Sequence, residues 1–174
     1  MKRLFSFLVV LMICSCAQAQ EDSVAAVPKK PKYTRDTLFT HGSAERILGQ
    51  SGVLTESKFT AQGNSRIYQS AYTAYRKDVN TGKTGTVYYF MEQFDNALAA
   101  HRSYMDIKLA NQKNGIKPLR GIGDEAYFHS DNENFYYIMV RKGNKGFRIK
   151  VNKITAHTNL SAFNEVARNI AEEL

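Results

Sequence analysis

The chain predicts an α+β fold in which an antiparallel meander of strands is sandwiched or covered by helices. Three observations lead there. Two extended runs, Phe135 to Val140 and Gly146 to Lys153, flank a two-residue Gly143-Asn144 turn; Gly tolerates positive φ there and Asn nearly does, as a tight hairpin requires. Strand-like alternation also fills the first half of the chain. The last segment carries apolar residues at helical spacing.

With Gly143-Asn144 at the tip, antiparallel pairing sets Val140 opposite Phe147, Ile138 opposite Ile149 and Tyr136 opposite Val151. One face is then wholly apolar. The other carries Phe135, Tyr137 and Met139 beside Arg148, Lys150 and Asn152. A slip of one residue would mix the two sets, so the pattern specifies its register.

The first twenty residues have the layout of a targeting segment: Lys2-Arg3, an apolar run from Leu4 to Ile13, then small residues. About 20 apolar residues are needed to cross a bilayer, so this run is a leader and not a permanent anchor. Two processing sites compete. Ile13-Cys14-Ser15-Cys16 resembles a bacterial lipobox, in which Cys16 is lipidated and becomes the mature N-terminus; Cys14 stands where a small or aliphatic residue is usual. Ala17-Gln18-Ala19 is an A-x-A site for cleavage before Gln20. We favour lipidation. Residues 1–19 are thus a signal peptide, 20–36 a tether, and 37–174 a single domain. The tether contains Pro28, Pro31 and three lysines without apolar periodicity. Both cysteines fall in the leader, so the domain can hold neither a disulfide nor a cysteine-ligated metal.

At 174 residues, with 43% hydrophobic and 23% charged residues, the chain has the composition of one globular domain. Its net charge of +8 falls by two, to +6, once Lys2 and Arg3 leave with the leader. An exported protein with that balance favours anionic lipid headgroups or acidic glycans over nucleic acid.

Within the domain, Ser43 is the expected N-cap of a short helix that ends at Gly49. Val53 to Thr60, Arg66 to Lys77 and Thr86 to Phe94 read as strands, separated by turns at 62–65 and 80–84. Asp95 is the expected cap of a long helix reaching about Asn114, its buried stripe formed by Leu98, Met105 and Leu109 with Ala97 and Tyr104. A Gly121-Ile-Gly123 corner follows, in which Asp124 caps exposed backbone N–H groups, then a short strand at Ala126 to His129 and a turn at 130–134. The final helix starts near Thr158 or Ser161 and buries Leu160, Phe163, Val166, Ala167, Ile170 and Leu174.

Catalytic patterns are sparse. Gly121-Ile-Gly123-Asp-Glu-Ala126 matches G-x-G-x-x-A formally but precedes a strand instead of opening a helix, so it reads as a corner. There is no Gly-x-Ser-x-Gly elbow, and the domain has no cysteine nucleophile. His129, Asp131 and Glu133 recur at every second residue and form the one candidate metal set, although Asp and Asn there also suit a plain turn. The basic run Arg141, Lys142, Lys145, Arg148, Lys150 and Lys153 contains no acid. Long cations beside aromatics can grip an anion through charge and cation-π contact together, or simply cover a half-buried face with their stems.

A short helix ending in Ile47-Leu48-Gly49, a meander, a long helix, the block Leu119-Arg-Gly-Ile-Gly-Asp-Glu-Ala-Tyr127, a strand pair with Val140-Arg-Lys-Gly143, and a closing helix with Val166-Ala-Arg-Asn-Ile170 follow one another. This order resembles small exported bacterial lipoproteins of the LpqN type, which share the fold of PsbP, the oxygen-evolving accessory protein of photosystem II. The resemblance spans about Thr37 to Leu174. It implies a PsbP-like α+β sandwich and a binding or accessory role without enzymatic chemistry, and no shared ligand site. The tyrosine-rich meander and the basic tether depart from that pattern.

The expectation is therefore a non-catalytic envelope protein, periplasmic or lipid-anchored at the outer membrane, alternatively secreted. It needs no cofactor, touches the membrane only through its lipid, and binds an envelope protein or an anionic glycan or lipid headgroup. The ligand face expected is Tyr137, Met139, Arg148 and Lys150 with Phe135 as its apolar floor. The alternative is a metal-dependent hydrolase using the His129 to Glu133 turn.

Overall fold

A computed structural model describes residues 38–112 and 115–174; the leader with Cys16 and the tether lie outside the described residues. Among the described residues seven antiparallel strands form one sheet with three helices, an α+β architecture. Helix α1 (His41–Leu48) precedes strands β1 (Gly52–Gln62), β2 (Ser65–Ala74) and β3 (Thr86–Gln93). Helix α2 (Ala97–Asn111) leads to β4 (Lys117–Leu119), β5 (Glu125–Ser130), β6 (Phe135–Lys142) and β7 (Lys145–Asn152), and α3 (Leu160–Glu173) closes the chain. The sheet order is β1-β2-β3-β7-β6-β5-β4. Two meanders thus meet at β3 and β7, and α2 carries the chain from the centre of the sheet to its far edge.

The hairpin register is the one its alternation predicts: Val140 opposes Phe147, Ile138 opposes Ile149, and Tyr136 opposes Val151. All but the half-buried Tyr136 are fully buried, and the same face continues into Val87, Tyr89 and Met91 of β3. On it lie α1, through Ile47 and Leu48, and α3, through Phe163, Val166, Ala167 and Ile170. Phe39 stacks on Tyr89 at 4.8 Å between centroids and closes the core over β3. The Gly121-Ile-Gly123 corner is a clamp. Gly123 has φ +59, and a Cβ there would stand 2.6 Å from the Arg141 carbonyl oxygen, so only glycine lets the corner sit against β6. Asp124 then accepts from the Gly143 N–H at 2.8 Å, which ties the corner to the hairpin tip.

Several details depart from the sequence expectations. Thr40, not Ser43, caps α1, accepting from the Ser43 N–H at 3.1 Å. Asn96, not Asp95, caps α2, and Asn159 caps α3. Each is the residue whose oxygen reaches the third N–H onward, as a cap must. Leu160 is exposed instead of buried, because a start at Asn159 turns the first helical position outward. The short edge strand β4 has no alternation to announce it and escaped the sequence.

The stripe expected on α2 holds only at Tyr104 and the half-buried Met105. Ala100 and Tyr104 are its buried residues, whereas Leu98 and Leu109 are 57% and 59% exposed. The face under α2 is small and partly polar, so its docking follows Tyr104 packing edge-on against Tyr127 and His101 reaching Glu125, not the most hydrophobic stripe. The final helix meets a wholly apolar face, and there hydrophobic spacing does decide.

Candidate functional site

The second sheet face carries the residues that the sequence singled out. Pairing places Phe135 opposite Asn152, Tyr137 opposite Lys150 and Met139 opposite Arg148. Alternation along β6 and β7 forces all of them to the side away from α1 and α3. The five are neighbours, as expected, but they are not equally open.

Helix α2 roofs one half of this face. Met139 is only 4% exposed, packed with Tyr104 and Tyr127, so it is a buried packing residue and not part of an open ligand surface. Tyr137 is half-buried beside it, and its hydroxyl donates to the Met139 Sδ at 3.8 Å. Burial pushes the Tyr137 phenol well above its ordinary range, and neighbouring Tyr127 adds to this while Arg148 opposes it. Burial likewise raises Tyr104 to about 12, with Glu125 a lesser cause. These phenols are neutral packing groups at any physiological pH.

The roof is held by charge. Glu125 accepts from His101 Nδ1 at 2.8 Å and from Arg141 Nε, and Arg141 Nη1 reaches Asp124 at 3.0 Å. Burial alone would raise the Glu125 carboxyl; the His101 and Arg141 hydrogen bonds outweigh it and lower the pKa. Arg141 is therefore occupied in joining the corner, the sheet and α2.

The rest of the basic run divides by position. Lys142 Nζ donates to the Ala171 carbonyl at 2.7 Å and Lys145 Nζ to Leu174 O at 3.3 Å, both at the C-terminal end of α3, where cations offset the helix dipole. Arg148 and Lys150 instead stand on the second face. The Arg148 guanidinium lies 3.8 Å from the centroid of Phe90, and Lys150 Nζ lies 5.6 Å from that of Phe135. Among the described residues neither is paired with a carboxylate.

Beside α2 a shallow groove opens between the helix and the β3–β7 seam, with Phe90, Glu92, Phe94, Ser103, Tyr104 and Arg148 among its lining residues. Phe94 and Ser103 escaped the sequence reading. Alternation along β3 does put Phe90 on the face opposite Tyr89, but only the β3–β7 pairing, which sets Phe90 across from Arg148, brings it into the site.

The candidate metal residues are not gathered as ligands. His129 is buried and packs edge-on against Phe135, with centroids 4.8 Å apart, while Asp131 Oδ1 accepts from the N–H groups of Glu133, Asn134 and Phe135. The Asn134 backbone and side chain are the chief causes that hold the Asp131 carboxyl well below the usual range, as suits a turn cap. Among the described residues no group of three or more histidine, cysteine or acidic side chains could hold a metal ion. Comparison with protein-family models, with curated proteins and with solved structures finds no match to this chain.

Proposed function

We propose that this chain is a non-catalytic binding or accessory module of a bacterial cell envelope, exported by its leader and lipid-anchored at Cys16. On this reading its domain is PsbP-like, and it engages an anionic group, on a glycan, a lipid headgroup or a partner protein, at the seam between α2 and the sheet. One observation carries the reading: among the described residues Arg148, over the Phe90 ring in the groove, and Lys150 further along the strand have no carboxylate partner, while Arg141, Lys142 and Lys145 of the same run are used inside the fold. A guanidinium held over an aromatic ring is preorganised and still presents N–H groups, which suits carboxylate, sulfate or phosphate oxygens.

The double variant Arg148→Glu/Lys150→Glu tests the site. Each cation near an anionic surface contributes about 1 kcal/mol, so reversing two should weaken binding to phosphatidylglycerol vesicles and to an immobilised sulfated glycan by at least about 10-fold. Circular dichroism should stay native, since Lys150 is exposed and Arg148, half-buried at the groove, forms no ion pair among the described residues. Equal affinity of the two proteins would remove the proposal. Export and anchoring are tested by the intact mass of the protein from native membranes. The expected species begins at Cys16 with added acyl mass; one beginning at Gln20 without lipid would overturn the anchor.

A further inference from the structure

The loop that joins β2 to β3, residues 75–85, carries two apolar side chains that contribute nothing to the core. Val79 is 93% exposed and Tyr75 75% exposed, the two most open large apolar side chains among the described residues. Turn tips ordinarily take Gly, Asn, Asp or Ser, so the turn itself does not call for a valine.

The tip is held rigidly. Asp78 is buried, and its Oδ1 accepts from the Asn80 N–H at 3.0 Å, the Thr81 N–H at 2.7 Å and the Thr81 hydroxyl at 2.9 Å. Its Oδ2 accepts from the Ala156 N–H at 2.9 Å, which ties the loop to the segment after β7. The Gly82 N–H donates to the Asp78 carbonyl and the Asp78 N–H to the Lys83 carbonyl, each at 2.8 Å. At the base, the Tyr75 N–H donates to the Ser51 carbonyl at 2.8 Å. One carboxylate thus satisfies the backbone of the turn and leaves Val79 in solvent.

Cations surround the tip. Arg76 and Lys77 are exposed just before Asp78, Lys83 follows the turn, and Lys153 is exposed on the segment that Asp78 grips. Lys83 Nζ donates to Asn134 Oδ1 at 3.4 Å. Among the described residues none of the four pairs with a carboxylate. The acids of the neighbouring turn are Asp131 and Glu133, and Asp131 is already engaged by N–H groups of its own turn.

We propose that this loop docks on an anionic phospholipid bilayer, with Val79 and the Tyr75 ring entering the interface and Arg76, Lys77, Lys83 and Lys153 standing at the headgroups. Aromatic rings settle at headgroup level, an aliphatic tip gains by leaving water, and each nearby cation adds attraction to an anionic leaflet. A rigid tip avoids the cost of ordering a loop on binding. A free anion or a soluble glycan would use the cations but leave Val79 in water, so the combination selects a bilayer. The contact is distinct from the groove beside α2 and from any lipid at Cys16, and it turns the β2–β3 end of the sheet toward the membrane.

The experiment uses the mature chain, which carries no free thiol by either processing route: Cys14 leaves with the leader, and Cys16 is acylated or removed. Val79→Cys takes a nitrobenzoxadiazole label, and Leu98→Cys, exposed on α2 just beyond the opposite end of β3, takes the control label. With vesicles of phosphatidylglycerol and phosphatidylcholine, the label at 79 should brighten severalfold, shift to shorter wavelength and be quenched by nitroxide lipids. The label at 98 should stay as it is in buffer. Adding Arg76→Glu/Lys77→Glu to the chain labelled at 79 should move the balance between inserted and exposed label at least about 10-fold toward water. A label at 79 that stays in water, whether or not the protein sediments with the vesicles, overturns the proposal. So does equal insertion of the label at 98, or an insertion at 79 that charge reversal leaves unchanged.

Discussion

Gly49→Ala is expected to be the most damaging single substitution in the domain. Gly49 ends α1 with φ +66, and a Cβ there would lie 1.9 Å from the carbonyl oxygen of His157. That oxygen cannot step aside freely. The next segment is pinned to the same helix end, since the Asn159 N–H donates to the Ile47 carbonyl at 2.9 Å and the Thr155 N–H is held by Thr158 Oγ1 at 3.0 Å. Left-handed backbone costs a non-glycine residue about 1–2 kcal/mol and an overpacked contact about 1–3 kcal/mol. A contact as short as 1.9 Å falls at the top of the second range, so the denaturant midpoint should fall by the equivalent of about 4–5 kcal/mol, a large share of the ~5–15 kcal/mol that holds a typical domain. A change below about 1 kcal/mol would show that the loop at His157 yields, and that the contact between the α1 end and the lead-in to α3 is not rigid.

Phe163→Ala should come next. Phe163 is fully buried where α3 meets the sheet, edge-on to Phe128 at 6.3 Å and tilted against Tyr136 at 6.0 Å. Its removal leaves a void between a helix and two strands that are each fixed by their own hydrogen bonds, so the site cannot collapse. Such truncations cost about 3–5 kcal/mol. Urea denaturation followed by circular dichroism measures the loss, and Phe163→Leu should recover more than half of it by refilling most of the space. If the alanine variant matched the native midpoint, α3 would not be an integral part of the core.

The two substitutions probe opposite sides of what could be foreseen. Phe163 was visible from the helical spacing of Phe163, Val166, Ala167 and Ile170, because one apolar face of a helix has to go somewhere and the hairpin offered an apolar plane. Gly49 was visible as a helix stop, but its intolerance of any side chain comes from His157, more than a hundred positions later in the chain, and no local pattern carries that contact. The candidate site divides likewise. Phe135, Tyr137, Met139, Arg148 and Lys150 were assigned to one face and lie on one face, since period-two alternation and a two-residue turn leave no other register. Which of them remain open to a ligand was not legible.

The sequence by itself determined the hairpin and its register, the turn built on Asp131, the apolar face of α3, and the absence of cysteine from the domain. Each rests on interactions within about a dozen residues, where periodicity and turn chemistry act directly. Only the tertiary structure decided that β3 lies beside β7, that α2 covers Met139 while its own Leu98 and Leu109 face solvent, and that the basic run separates into cations used by the fold and cations left on the surface. Those outcomes depend on which distant elements meet. A strand presents the same alternation to any neighbour, and a lysine the same charge to any carbonyl, so partners are chosen by the packing of the whole sheet and not by the residues alone.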